Sequence, residues 1–391
     1  MVTQASVRPL FGATAALEEC VAVRRPHILQ VGKFWPPHYG GIETHLRELC
    51  TGLASVVDID VVVSNVGRSY VQEQDGDMRV TRIPTFARVA SAPLSPSMLG
   101  FLRETSADLV HIHLPNPPAE IAYLLSGHRG KLVVTVHSDI VRQRMMAKLL
   151  SPTLHALLRR ADAIVSFSPS RLEHSPVLQR FRDKCHVIPH GIPFELYDEV
   201  NSAQVDEIRS FYRKPIILAV GRLVYYKGFD YLIRAMRNID AHLLLIGEGP
   251  LHRELLEQVM VSGVQEKVTL LGNVSDLRPY YHACDVFALP SIAVSEAFGI
   301  VQLEAMACGK PVVNTQLPSG VPWVSQNGLT GITVPPADSD ALAEAVSLLL
   351  SQPELAQRYG RSARRRVEQE FATERMLART LGLYSRVLGI S

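Results

Sequence analysis

The chain has 391 residues, 47% of them hydrophobic and 20% charged, and a formal net charge of +2. That length favours two domains, the composition is that of a soluble globular protein, and the charge offers no general attraction for nucleic acid. No apolar run approaches the roughly 20 residues that span a bilayer. Five scattered cysteines without a C-x-x-C pair read as reduced thiols of a cytoplasmic protein.

Residues 1–24 are expected to form an N-terminal extension. Glu18 and Glu19 interrupt its one apolar patch before any cleavage site. From residue 25 short β-branched runs alternate with helical patterns. The strand candidates of the first half are "HILQVG", "IDVVV", "DLVHIHL", "LVVTVH", "AIVSF" and "CHVIP". A polar helical interval over about 195–212 follows. The rhythm then restarts with "PIILAVG", "HLLLIG", "KVTLLG", "DVFALP", "PVVNT" and "GITVPP". Apolar strands between amphipathic helices predict an α/β chain with parallel sheets covered on both faces. Seeing the series twice predicts two Rossmann-like domains, residues 25–200 and 201–370, facing each other across a cleft. The last segment, 371–391, is expected to be a helix that packs back on the first domain.

Ligands in such folds bind at the carboxyl ends of the strands. In "GRLVYYKGFD" the planar fork of Arg222 and the compact charge of Lys227 follow a strand and suit a diphosphate. In "SEAFGIVQLEAM" two carboxylates, Glu296 and Glu304, stand in an apolar run with seven residues between them. Gly299 is expected to mark the junction of a loop with a helix from about Ile300 to Met306. The amino end of that helix is a ready anion site, and carboxylates beside it accept hydrogen bonds from sugar hydroxyls. His137 closes the run "LVVTVH" as either a packed strand-end residue or part of the site. His111 and His113 in "HIHLP" are read as facing opposite sides of their strand, so that at most one lines a site. The acidic pairs "DID" (Asp58, Asp60) and "DGD" (Asp75, Asp77) are read as a strand start and a hairpin turn, and no metal site is expected.

Together "PHYGGIETHL", the "HG" of "VIPHGI", "GRLVYYKG", "GEGP", "SEAFGIVQLEAM" and "SGVPWVSQNGLTGITVPP" resemble, in the same order, the motifs of retaining glycosyltransferases of the GT-B fold, family 4 (glycosyl transferases group 1). "SEAFGIVQLEAM" is similar to that family's E-x7-E motif, and the resemblance covers nearly the whole chain after residue 25. It implies that Arg222 and Lys227 bind a donor diphosphate with the backbone amides of Phe298, Gly299 and Ile300. It also implies that Glu304 holds ribose hydroxyls while Glu296 and His137 approach the transferred sugar. The same resemblance implies that Gly40 and Gly41, in a loop before the first helix, admit the donor, and that Gly272, Asn273 and Val274 lie near its base. The catalytic set is thus Glu296, His137, Arg222 and Lys227, with a nucleotide-sugar as substrate and neither metal nor other cofactor.

The segment "HSDIVRQRMMAKLLSPTLHALLRR" brings Arg142, Arg144 and Lys148 together with methionines and leucines, a composition suited to an anionic membrane surface or to an amphipathic cover for the sheet. The resemblance extends to bacterial exopolysaccharide and O-antigen mannosyltransferases. It implies GDP-mannose as donor and a polyprenyl-diphosphate-linked oligosaccharide as acceptor, at the cytoplasmic face of the inner membrane. The alternatives are a sugar-nucleotide epimerase of the same fold and a transferase using a UDP-sugar and a soluble acceptor. A dinucleotide oxidoreductase is disfavoured, because no strand is followed by G-x-G-x-x-G with an acidic residue about 20 positions on. The base, the linkage and the oligomeric state are not fixed by the residues.

Overall fold

The structure is a computed structural model that describes residues 24–38, 40–89, 92–137 and 144–390. The first sheet is built from β1 (His27–Val31), β2 (Asp58–Ser64), β3 (Val71–Asp75), β4 (Met78–Ile83), β7 (Leu109–Leu114), β8 (Lys131–Val136), β9 (Ala163–Ser166) and β10 (Cys185–Val187). A separate small hairpin joins β5 (Ala87–Val89) to β6 (Ala92–Leu94). The order in the sheet is β10-β9-β8-β7-β1-β2-β4-β3, parallel except where β3 runs antiparallel to β4 at the edge. The "DGD" stretch makes that last turn, with Asp75 opposite Met78 and Gly76 at φ 62°.

The second sheet holds β11 (Ile216–Val220), β12 (His242–Ile246), β13 (Val268–Gly272), β14 (Val286–Leu289), β15 (Val312–Thr315) and β16 (Gly331–Val334). All its pairings are parallel, in the order β13-β12-β11-β14-β15-β16. Successive residues of β11 enter opposite cores. Ile217 and Ala219 join one core, and Ile216, Leu218 and Val220 join the other. Both faces are therefore buried, which is why this strand reads as one unbroken apolar run. The strand order changes direction between β11 and β14, whose carboxyl ends consequently lie side by side.

The chain crosses between the two sheets twice, and the crossings are tied together. Ile192 N donates to Phe371 O at 2.8 Å, and Thr373 N donates to Ile192 O at 3.2 Å. After the second crossing the helix Thr373–Leu388 returns to the first domain. Its Met376, Leu377, Leu383 and Tyr384 share a buried cluster with Leu46, Leu49 and Leu53 of the helix Gly41–Leu53. The contact is close: a Cβ at Gly52 would stand 2.4 Å from Leu377 Cδ1. Among the described residues no helix is long and apolar enough to cross a membrane.

One expectation fails here. His111 and His113 lie on the same face of β7, both buried, with ring centroids 4.4 Å apart and stacked. The reason is elementary: side chains two residues apart on a strand share a face, and it is neighbours that alternate.

Candidate active site

The loops that follow β11 and β14 meet because those strands are neighbours. After β11 the chain makes a short turn over Tyr225–Lys227, and Gly228 at φ 65° caps the helix Phe229–Ala235. Tyr226 O accepts from Ile292 N at 2.8 Å, which fastens this turn to the loop after β14. A Cβ at Gly228 would lie 2.2 Å from Pro290 O, so only glycine permits both the left-handed conformation and the close approach. The result is an ion pair. Lys227 Nζ stands 2.5 Å from Glu296 Oε2, with the two residues 7% and 8% exposed. Ser291 Oγ donates a further hydrogen bond to the same carboxylate oxygen at 3.1 Å.

Gly299, at φ 73°, forms the N-cap of the helix Ile300–Ala307. Glu304 lies inside that helix and accepts from Tyr281 Oη at 2.6 Å. Burial raises the Glu304 pKa, while the Tyr281 hydrogen bond and the Lys227 charge work in the opposite direction. One ammonium therefore acts on both carboxylates of the motif. Arg222 lies exposed in the loop directly after β11.

Across the cleft the helix Gly41–Leu53 presents Glu48 and His45. Glu48 is pushed up to about 7 by burial and by the negative charge of Glu304. Phe298 bridges the domains, with its ring 5.0 Å from His190 and 6.3 Å from Phe167. His137, buried at the end of β8, sits 4.8 Å from Phe167, centroid to centroid. Beside it a cavity of about 290 Å³ opens between the domains. Arg171, His174 and Ser175 line it from the first domain, and Val294, Pro318 and Ser319 from the second. Arg171 is buried, and its Nη1 donates to the His137 carbonyl at 3.4 Å.

The remaining site candidates fall as follows. Gly40 caps the helix Gly41–Leu53 and Gly41 is its first residue, both exposed; Gly41 was expected in the preceding loop. Gly272 ends β13, and its carbonyl accepts from Gly247 N at 2.7 Å. Asn273 is exposed, and Val274 lines a second cavity with Tyr212, Pro279 and Tyr280. Ile300 is half-buried at the first turn of its helix. Arg142 lies outside the described residues, while Arg144 and Lys148 belong to the helix Arg144–Arg160. The acidic pairs do not converge on the cleft: Asp60 is held by His27 and Arg79, and Asp75 accepts from Trp35 Nε1 at 3.1 Å.

Sequence reasoning did not bring His45, His113 and His190 together around His137. His45, His113 and His137 bring one ring nitrogen each within 4.8 Å of one another, a spacing that a metal ion accepts. A hydrogen bond of 3.0 Å from ring to ring already joins His113 Nδ1 to His137 Nε2. His45 and His190 are joined in the same way, Nδ1 to Nδ1, at 3.0 Å. The signal available was "GGIETHLREL", in which His45 and Glu48 stand one helical turn apart and share a face.

Two parallel-sheet domains with this constellation in the groove between them define a GT-B glycosyltransferase, and the chain belongs to the group 1 glycosyltransferases. The profile described as "Glycosyl transferases group 1" matches residues 202–366, and that described as "Glycosyltransferase Family 4" matches residues 39–196. The chain is 31% identical to O-antigen chain mannosyltransferase C of Escherichia coli, over 92% of this chain and 98% of that one. It is 33% identical to D-rhamnosyltransferase WbpZ of Pseudomonas aeruginosa, over 85% and 88%. In fold it is similar to sucrose-phosphate synthase of Thermosynechococcus elongatus, with a TM-score of 0.80, 23% identity and coverage of 94% and 100%.

Proposed function

We propose that the chain is a retaining, metal-independent α-mannosyltransferase. In this reading it moves mannose from GDP-mannose to a polyprenyl-diphosphate-linked oligosaccharide in bacterial exopolysaccharide or O-antigen assembly, at the cytoplasmic face of the inner membrane. The observation that carries the reading is the buried pair of Lys227 and Glu296 beside the amino end of the helix Ile300–Ala307. A cation, a helix terminus and an acceptor-only carboxylate within one groove match a diphosphate joined to a sugar. The name of the O-antigen mannosyltransferase relative supports mannose and a cell-surface polysaccharide.

Transfer builds negative charge on the departing diphosphate and positive charge at the anomeric carbon. In this reading Arg222, Lys227 and the N–H groups at the amino end of the helix Ile300–Ala307 receive the first charge, and preorganised electrostatics of this kind is usually the largest catalytic contribution. Glu304 accepts the ribose hydroxyls, and Glu296 accepts from the sugar while steadying Lys227. Because Glu296 is engaged by a cation, a front-face path in which the leaving diphosphate assists the attacking hydroxyl fits better than a covalent glycosyl-enzyme. Closure of the domains over the groove excludes water and limits hydrolysis of the donor.

Thermal unfolding in the presence of a panel of sugar nucleotides tests the donor. GDP-mannose at 100 times its dissociation constant adds about 2.7 kcal/mol. Protection by UDP-sugars alone contradicts the assignment. Product NMR tests the rest: an inverted anomeric linkage rejects retention, and an epimer formed from donor alone points to an isomerase.

A further inference from the structure

Behind His137 lies a hydrogen-bond chain that ends on the last helix of the molecule. Gln30 is fully buried in the middle of β1, a place where an amide is costly unless both its ends are satisfied. Its Nε2 donates to Tyr384 Oη at 2.9 Å, and its Oε1 lies 3.0 Å from His113 Nε2. A carbonyl oxygen only accepts, so His113 Nε2 carries the hydrogen. Burial pushes the pKa values of His111, His113 and His137 far below the ordinary histidine value, so all three rings are neutral and each holds a single ring proton. His113 Nδ1 is then a lone pair, and it accepts from His137 Nε2–H at 3.0 Å. The remaining acceptor nitrogen of His137 is Nδ1.

The other branch runs in the same direction from Gln30. The Tyr384 oxygen accepts from Gln30 and sends its own hydrogen to His111 Nδ1, 2.6 Å away. His111 Nε2–H then donates to Thr135 Oγ1 at 2.7 Å. With the Gln30 amide in this orientation every donor in both branches has one acceptor, and its carbonyl sets the order of the hydrogens from His113 to His137.

We infer that Gln30 and Tyr384 are positioning residues that hold His137 as its Nε2–H tautomer, so that Nδ1 is presented as an acceptor to a hydroxyl of the sugar or of the incoming acceptor. The inference rests on the placing of His137 in the transfer site. It makes the helix Thr373–Leu388 a working part of the first domain's half of the site, because the Tyr384 hydroxyl comes from there.

The test uses the full chain labelled with ¹⁵N-histidine, wild type, Tyr384→Phe and Gln30→Met, with long-range ¹H–¹⁵N NMR on the ligand-free protein and kinetics of mannose transfer. His137→Gln supplies the assignment of its signals. The expected result is a single Nε2–H form of His137 in the wild type and a mixture of tautomers in both variants. Turnover should fall about tenfold, as is typical when an orienting partner of a working histidine is removed, with the donor KM unchanged. An unchanged His137 tautomer in both variants overturns the inference, as does a loss of turnover that merely follows a fall in melting temperature. Absence of transfer by the wild type with any sugar nucleotide counts against the proposed function alone, since the NMR measurement requires no donor.

Discussion

Lys227 and Glu296 are more than nine-tenths buried, so each depends on the other in a way that surface ions do not. Lys227→Ala leaves a carboxylate in a poorly solvated place, with a predicted cost of about 3 kcal/mol in urea denaturation. The double variant Lys227→Ala, Glu296→Ala should lose clearly less than the two single losses combined, because it strands no charge. Additive losses would show that the pair is not coupled. Arg222 behaves differently because it is exposed: Arg222→Ala should leave the unfolding curve in place and lower turnover by about 10²-fold. Full activity in that variant would remove Arg222 from the site. These three side chains were legible in the sequence as candidates because each motif is contiguous and follows an apolar strand. Glu48, His45 and Arg171 were not, because they become neighbours of the motif only when the two domains meet. The shared helix face of His45 and Glu48 hints at a site, but nothing in "THLRELC" or "PSRLEH" says which distant segment completes it.

Among the elements, the helix Ile300–Ala307 matters most, since Gly299 sets its direction. A side chain at 299 meets the left-handed conformation at φ 73° and places a Cβ 2.6 Å from Leu289 Cδ2. Gly299→Ala is predicted to destabilise the chain by about 1–2 kcal/mol from the backbone conformation alone. Donor affinity should fall with it, measured by titration under conditions where the variant is still folded. Unaltered stability and affinity would mean that the helix start is not held as described. The helix itself was readable to within a residue, because glycine is the residue that a left-handed cap requires. The strand β3 was not foreseen: "VQEQD" is an edge strand whose middle residues face solvent, so no apolar run marks it. The facing of His111 and His113 was misread through the strand period. With that period applied correctly, "HIHL" places two histidines in one core, which is an unusual enough burden to suggest the network built there.

At the scale of the molecule, buried histidines set the response to pH. His45 and His111 are lowered to about 3 by burial, and His113, His137 and His190 well below 6.5. Between those values and 6.5 the unfolded chain binds protons at these sites and the folded chain does not, so stability falls as pH falls. Glu48 and Glu120, raised to about 7 by burial, act with the opposite sign from 4.5 upwards, and Glu304 follows them in direction. The histidines outnumber the carboxyls, so between pH 4.5 and 6.5 stability should rise by at least about 1.4 kcal/mol per pH unit. Above pH 6.5 the histidine contribution levels off, while the carboxyls go on subtracting until about pH 7. Urea denaturation at pH 5.0, 6.5 and 8.0 checks this, with a maximum expected near 6.5; a flat profile would contradict the buried, neutral network.

The two-domain architecture was legible because strand and helix periods repeat twice along the chain. The return of the helix Thr373–Leu388 to the first domain carries more weight than its position in sequence suggests, since Tyr384 completes a network that begins in β1. The donor itself supplies the most direct measurement, by isothermal titration of GDP-mannose into wild type and Arg222→Ala in the presence of EDTA. The account predicts saturable binding by the wild type despite the chelator, and binding at least about tenfold weaker in the variant, a loss of 1.4 kcal/mol. Equal affinity in the two proteins, or binding abolished by EDTA, would contradict a diphosphate site built from side-chain cations and a helix terminus.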